Sequence, residues 1–136
     1  MTPKILKYII DQLNGNDIQT LSDIEWRDVI LVARSSGVLA RLFHCLTDKN
    51  LLETLPPQIS RHFKAAMRHE TLFHNQVRNE IENIRRGILE GAMYNILLLK
   101  GAGYVFSDSC AARGRIFSDI DILVRKEDLT DFEQKL

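Results

Sequence analysis

The chain has 136 residues, 45% of them hydrophobic, with 18 basic side chains balanced by 18 acidic ones. That length suits one domain, or a small domain with a helical extension, and the composition is enough for a core. A net charge of zero excludes a bulk electrostatic pull toward nucleic acid or a membrane surface.

The N-terminal segment predicts a helix over Pro3–Leu13, with Ile5, Leu6, Ile9 and Leu13 on one face and Asn14-Gly15-Asn16 ending it. Its apolar run is too short for a signal peptide or a membrane span. Cys45 and Cys110 match no metal or redox spacing, so the expected setting is reduced and cytoplasmic. Ser22-Asp-Ile-Glu25 has the form of a capping box. Behind it, Trp26, Val29, Ile30 and Ala33 form an apolar stripe, and Leu39, Leu42, Phe43 and Leu46 form the next. Both read as core.

Pro56-Pro57 opens the longest predicted helix, running to about Gly91. Its stripe takes in Ile59, Phe63, Met67, Phe73, Val77, Ile81, Ile84 and Ile88, with a gap at Glu70. The helix also carries His62, His69 and His74. Seven residues between His62 and His69 is not a metal-ligand spacing on a helix, and the histidines read as solvated or partly packed.

After Gly91 the pattern changes. Asn95–Leu99 reads as a short buried strand, Gly101–Phe106 as a helix start and Ser107–Gly114 as a loop. Ile116–Val124 reads as a second strand, and Glu127–Leu136 as a helix with acidic residues in its first turn. The expected fold class is α+β, with a helical region over 1–92 and a strand–helix–strand–helix unit over 93–136. Two strands need helices or another chain to cover them, so self-association into a homo-oligomer is expected.

The second strand contains Ser-Asp-Ile-Asp-Ile-Leu-Val. Alternation sends Asp119, Asp121 and Leu123 one way and Ile120, Ile122 and Val124 the other. Two carboxylates side by side repel each other and lose hydration, which calls for a cation nearby. Carboxylates two apart on a strand suit a shared divalent ion, and Mg²⁺ leaves positions free for a triphosphate. Lys100 offers a point charge, Gly101 allows close backbone approach and the following helix start offers N–H groups. Ser118 adds a hydroxyl and Arg115 a planar fork for phosphate oxygens. The alternative is a strand end whose aspartates face water, with Arg113 and Arg115 pairing only with Asp108 or those aspartates.

Leu-Leu-Leu-Lys-Gly at 97–101, followed by Gly-Arg-Ile-Phe-Ser-Asp-Ile-Asp-Ile-Leu-Val at 114–124, resembles the uncharacterised nucleotidyltransferase family of the polymerase-beta superfamily. Trp26, the Ala33–Leu46 region and the Leu-Pro before the long helix resemble it too. The resemblance implies a polymerase-beta-like nucleotidyltransferase fold that acts on a nucleoside triphosphate, with an acceptor that is a small molecule or a protein. It assigns Asp119 and Asp121 to catalysis and Mg²⁺, and Lys100, Gly101, Arg115 and Ser118 to the nucleotide. Ala102 stands where the superfamily's turn more often has Ser or Gly. The superfamily's third carboxylate belongs to a later strand, so the chain reads as an N-terminal portion. Two functions are therefore expected: transfer of a nucleoside monophosphate to a hydroxyl-bearing acceptor, or a catalytically incomplete nucleotide-binding or helical interaction module.

Overall fold

The computed structural model describes residues 3–15, 21–89 and 95–135. Its elements in chain order are α1 (Pro3–Leu13), α2 (Asp23–Ser35), α3 (Leu39–Asp48), a short 3-10 turn (Leu52–Thr54), α4 (Pro57–Leu89), β1 (Leu97–Leu98), α5 (Lys100–Phe106), a second 3-10 turn (Cys110–Ala112), β2 (Ile122–Leu123) and α6 (Leu129–Lys135). The described chain is mostly helical with a two-stranded sheet, consistent with an α+β class. It divides into two compact units, 1–71 with 113–116, and 72–112 with 117–136. Helix α4 supplies residues to both.

The first unit is built by the helical stripes. Ser22 caps α2: its hydroxyl accepts from the Glu25 N–H, and the Glu25 carboxylate accepts from the Ser22 N–H at 2.9 Å. Lys4 also engages Glu25. That side-chain hydrogen bond first, and the Ser22 backbone N–H second, hold the Glu25 carboxyl down at about 2. Trp26, Val29, Ile30 and Ala33 of α2 are buried, as are Leu39, Leu42, Phe43 and Leu46 of α3. Trp26 sits between two edge-on aromatic partners, with ring centroids 5.5 Å from Tyr8 and 6.0 Å from Phe63. In α1, Ile5 and Ile9 are buried as expected, but Leu6 is exposed, and Tyr8 and Gln12 lie inside instead. The buried face of α1 is thus rotated toward the Trp26 ring.

Glu70 is no gap. It is buried, and its carboxylate accepts from the Gly114 N–H at 2.7 Å and lies 2.8 Å from His44 Nε2. Gly114 needs to be glycine twice over. Its φ is +73°, and a Cβ there would stand 2.4 Å from the Arg41 Cα. Beside it, Arg113 Nη2 donates to Asp48 at 2.7 Å. A buried carboxylate on α4 therefore seats the 113–116 segment in the first unit.

The second unit has a smaller core of Val77, Ile81, Ala102, Val105 and Ala112, flanked by half-buried Phe73, Leu98, Phe117 and Ile120. Strands β1 and β2 pair antiparallel, Leu97 opposite Leu123 and Leu98 opposite Ile122. Both are shorter than the sequence predicts. The ladder holds only where both chains are extended, and Ile116 belongs to the first unit with the Glu70-anchored segment. Gly91 and the side chain of Ile88 lie outside the described residues.

Candidate nucleotide and metal site

The ladder between β1 and β2 sets the site. One step beyond the paired residues, the Leu99 N–H donates to the Asp121 carbonyl at 2.9 Å. The chain then turns into α5 at Lys100, whose φ is +48°, a left-handed value that costs a side-chain-bearing residue of order 1–3 kcal/mol. From that turn Lys100 Nζ reaches Asp121 Oδ2 at 2.8 Å. The hydrogen bond to Asp121, then its charge, raise the Lys100 pKa above the ordinary lysine value, and the charge of Asp119 adds in the same direction. One lysine thus feels both carboxylates. The cation that the paired aspartates call for is Lys100.

Local alternation carries through this stretch. Ile120, Ile122 and Val124 are half-buried, Ile120 against the core, while Asp119 and Leu123 are exposed. Asp121 is half-buried beside its lysine. Ser118 Oγ donates to Asp119 Oδ1 at 3.3 Å. Gly101 is buried, and a Cβ on it would fall 2.5 Å from a Phe117 ring carbon. Its lack of a side chain therefore lets the Phe117 ring seat directly before Ser118 and Asp119. The Phe117 ring in turn meets Phe73 edge-on at 4.9 Å.

Ser118 and Asp119 open onto a cavity of about 230 Å³ floored by Phe73, Val77 and Phe117 and edged by Gln76 and Glu80. The structure thus gathers Lys100, Gly101, Ser118, Asp119 and Asp121 in the second unit. Arg115 is exposed and belongs to the 113–116 segment of the first unit. Neither Arg113 nor Asp108 pairs as the sequence suggested: Arg113 takes Asp48, and Asp108 takes Arg78. Sequence reasoning overlooked Phe117, Gln76 and Glu80. Alternation sets Phe117 on the face of Asp119 and Asp121, so its burial over Gly101 was not legible from the pattern, and nothing local ties Gln76 or Glu80 of α4 to a strand forty residues on.

Among the described residues no group of three or more His, Cys, Asp or Glu is arranged to hold a metal. The pair still fits Mg²⁺, which commonly takes one or two carboxylates and completes its shell with phosphate and water. Among the described residues Lys100 engages one oxygen of Asp121 and Ser118 one oxygen of Asp119, and no contact is made by the second oxygen of either carboxylate. Among the described residues no helix is long and apolar enough to cross a membrane.

No curated protein and no solved structure matches the chain. The model of one family, described as an uncharacterised nucleotidyltransferase, matches residues 22–136, taking in the capped α2, the long α4 and the whole Lys100–Asp121 constellation. On that match, the chain belongs to the uncharacterised nucleotidyltransferase family.

Proposed function

We propose that the protein is a Mg²⁺-dependent nucleotidyltransferase of polymerase-beta-like fold that moves a nucleoside monophosphate from a nucleoside triphosphate to a hydroxyl-bearing acceptor. The observation that carries this reading is the Lys100–Asp121 ion pair on a left-handed turn, with Asp119 in the same field. In this reading Asp119 and Asp121 hold Mg²⁺, which when bound neutralises triphosphate charge and polarises the reacting phosphorus. Lys100, 73% exposed beyond its pair with Asp121, would have room to turn onto a phosphate oxygen if that carboxylate held a cation. The Lys100–Gly101 turn and Ser118 contact the remaining phosphate oxygens. Phosphoryl chemistry asks little covalent work of a protein, so positioning and charge neutralisation by these groups are the catalytic contribution.

The test is calorimetric titration of ATP with Mg²⁺ into the wild type and into Asp119→Ala/Asp121→Ala. Metal-dependent binding by the wild type, lost in the double variant, is expected. Equal binding by both, or none by the wild type, defeats the proposal. A second reading, nucleotide binding without turnover, is favoured by the two-carboxylate set among the described residues. Binding in that titration without pyrophosphate release from ATP, across hydroxyl-bearing small molecules and proteins, selects it.

A further inference from the structure

Away from the aspartates, the first unit carries a groove that the nucleotide reading does not use. Two cavities, of about 300 and about 450 Å³, share Arg34 and His62 in their walls. Together they fall in the size range of small-molecule sites. Five basic or imidazole groups line them: Arg27 and Arg34 from α2, and Arg61, His62 and His69 from α4. Both Arg27–Arg34 and His62–His69 are seven residues apart, so each pair stands on one face of its helix two turns apart. The spacing that rules out metal ligation by His62 and His69 is thus the spacing that sets both along one wall. Among the described residues no aspartate or glutamate lines either cavity.

The three arginines are also uncommitted to anions among the described residues. Arg27, Arg34 and Arg61 enter none of the ion pairs among the described residues, whereas Lys4, Lys64, Arg78, Arg85, Arg86 and Arg113 all do. Arg34 Nη2 instead lies 3.3 Å from His62 Nδ1, which fixes the guanidinium at the junction of the two cavities with imidazole as acceptor. Between these heads the floor is apolar, formed by Ile30, Ile59, Leu39, Ala66 and Ile116, and Leu31 stands 59% exposed at the edge.

We propose that this groove binds a small amphipathic anion, a phosphate monoester carried on an apolar body. The guanidinium forks of Arg34 and Arg61 take the phosphate oxygens, geometry that a planar fork satisfies better than a point charge. The apolar floor takes the body. The inference is independent of the nucleotide reading, since every residue it uses belongs to the first unit.

Octyl phosphate, octanol and inorganic phosphate serve as probes of the full chain in calorimetric titration, with Arg34→Gln/Arg61→Gln compared with wild type and Lys7→Gln as a surface control. Circular-dichroism melts establish that the variants remain folded. Octyl phosphate is expected to bind wild type and Lys7→Gln alike and to bind the double variant about tenfold or more weakly, the loss of charge-assisted hydrogen bonds. Octanol and inorganic phosphate are expected to bind far more weakly than octyl phosphate. Absence of octyl phosphate binding, octanol binding as tightly, or affinity unchanged in the folded double variant overturns the proposal. So does arginine-dependent capture by phosphatidylglycerol vesicles with no binding of the soluble probe, which assigns the groove to a lipid surface.

Discussion

Phe63 in the first unit is wholly buried, one face of its surroundings supplied by the Trp26 ring. Phe117 in the second is half-buried, seated over Gly101 and against Phe73. The same residue type thus does different things in the two units. In the first, fifteen buried residues among those described, from four helices and their connections, make a continuous core. In the second, the hydrophobic cluster among the described residues has five members beside two strands of two residues each, and Leu97 and Leu123 on the sheet are more than half exposed. A two-stranded sheet adds little stability by itself. The comparison teaches that stability is concentrated in the helical unit, whereas the candidate chemistry sits where packing is thin and backbone geometry is strained.

Substitutions sharpen that contrast. Phe63→Ala is expected to have the largest effect, costing about 3–5 kcal/mol in denaturant unfolding, because it empties a fully packed site beside Trp26. A cost under 1 kcal/mol would mean that the first core is not the main store of stability. Gly114→Ala follows, at roughly 2–4 kcal/mol, from a positive φ and a Cβ set against the Arg41 backbone, which has no freedom to yield. Gly101→Ala is expected to cost less, about 1–3 kcal/mol, because its obstacle is a half-buried ring that can move. Its informative readout is binding: displacing Phe117 shifts Ser118 and Asp119, so nucleotide affinity is expected to fall more steeply than stability.

The smallest effect belongs to the surface cap. Ser22→Ala is expected to cost about 1 kcal/mol. Glu25 adds a pH signature. Its folded-state pKa is held near 2, below the ordinary 4.5, so its stabilisation is present above 4.5 and is lost as pH falls through that window toward 2. Glu25→Gln should remove that part of the acid sensitivity in thermal melts taken between those limits. An unchanged acid profile would show the Lys4 and Ser22 contacts to be without weight in solution.

The same contrast explains what could be read from the residues alone. Stripes at three- and four-residue intervals foretold α2, α3 and α4 nearly residue for residue, because burial of a helix face follows directly from local spacing. Ser22 and Glu25 declared their box for the same reason. The alternation of Asp119 through Val124 was equally legible. Strand length was not, because a ladder needs a partner, and β1 offers only Leu97 and Leu98. Nor was the role of Glu70: a charge interrupting an apolar stripe marks something unusual, but its acceptance of the Gly114 N–H spans forty-four residues. The pairing of Lys100 with Asp121 lay between these cases. Charge balance demanded a cation, and Lys100 was the nearest by pattern, yet the left-handed turn that delivers it is a property of the folded backbone.

The most direct measurement is a crystal structure grown with a non-hydrolysable ATP analogue and Mn²⁺ in place of Mg²⁺. An anomalous peak bridging Asp119, Asp121 and the triphosphate, with Lys100 turned from Asp121 onto a phosphate oxygen, is the predicted result. Nucleotide bound elsewhere with the Lys100–Asp121 pair intact, or a metal peak remote from both aspartates, would contradict it.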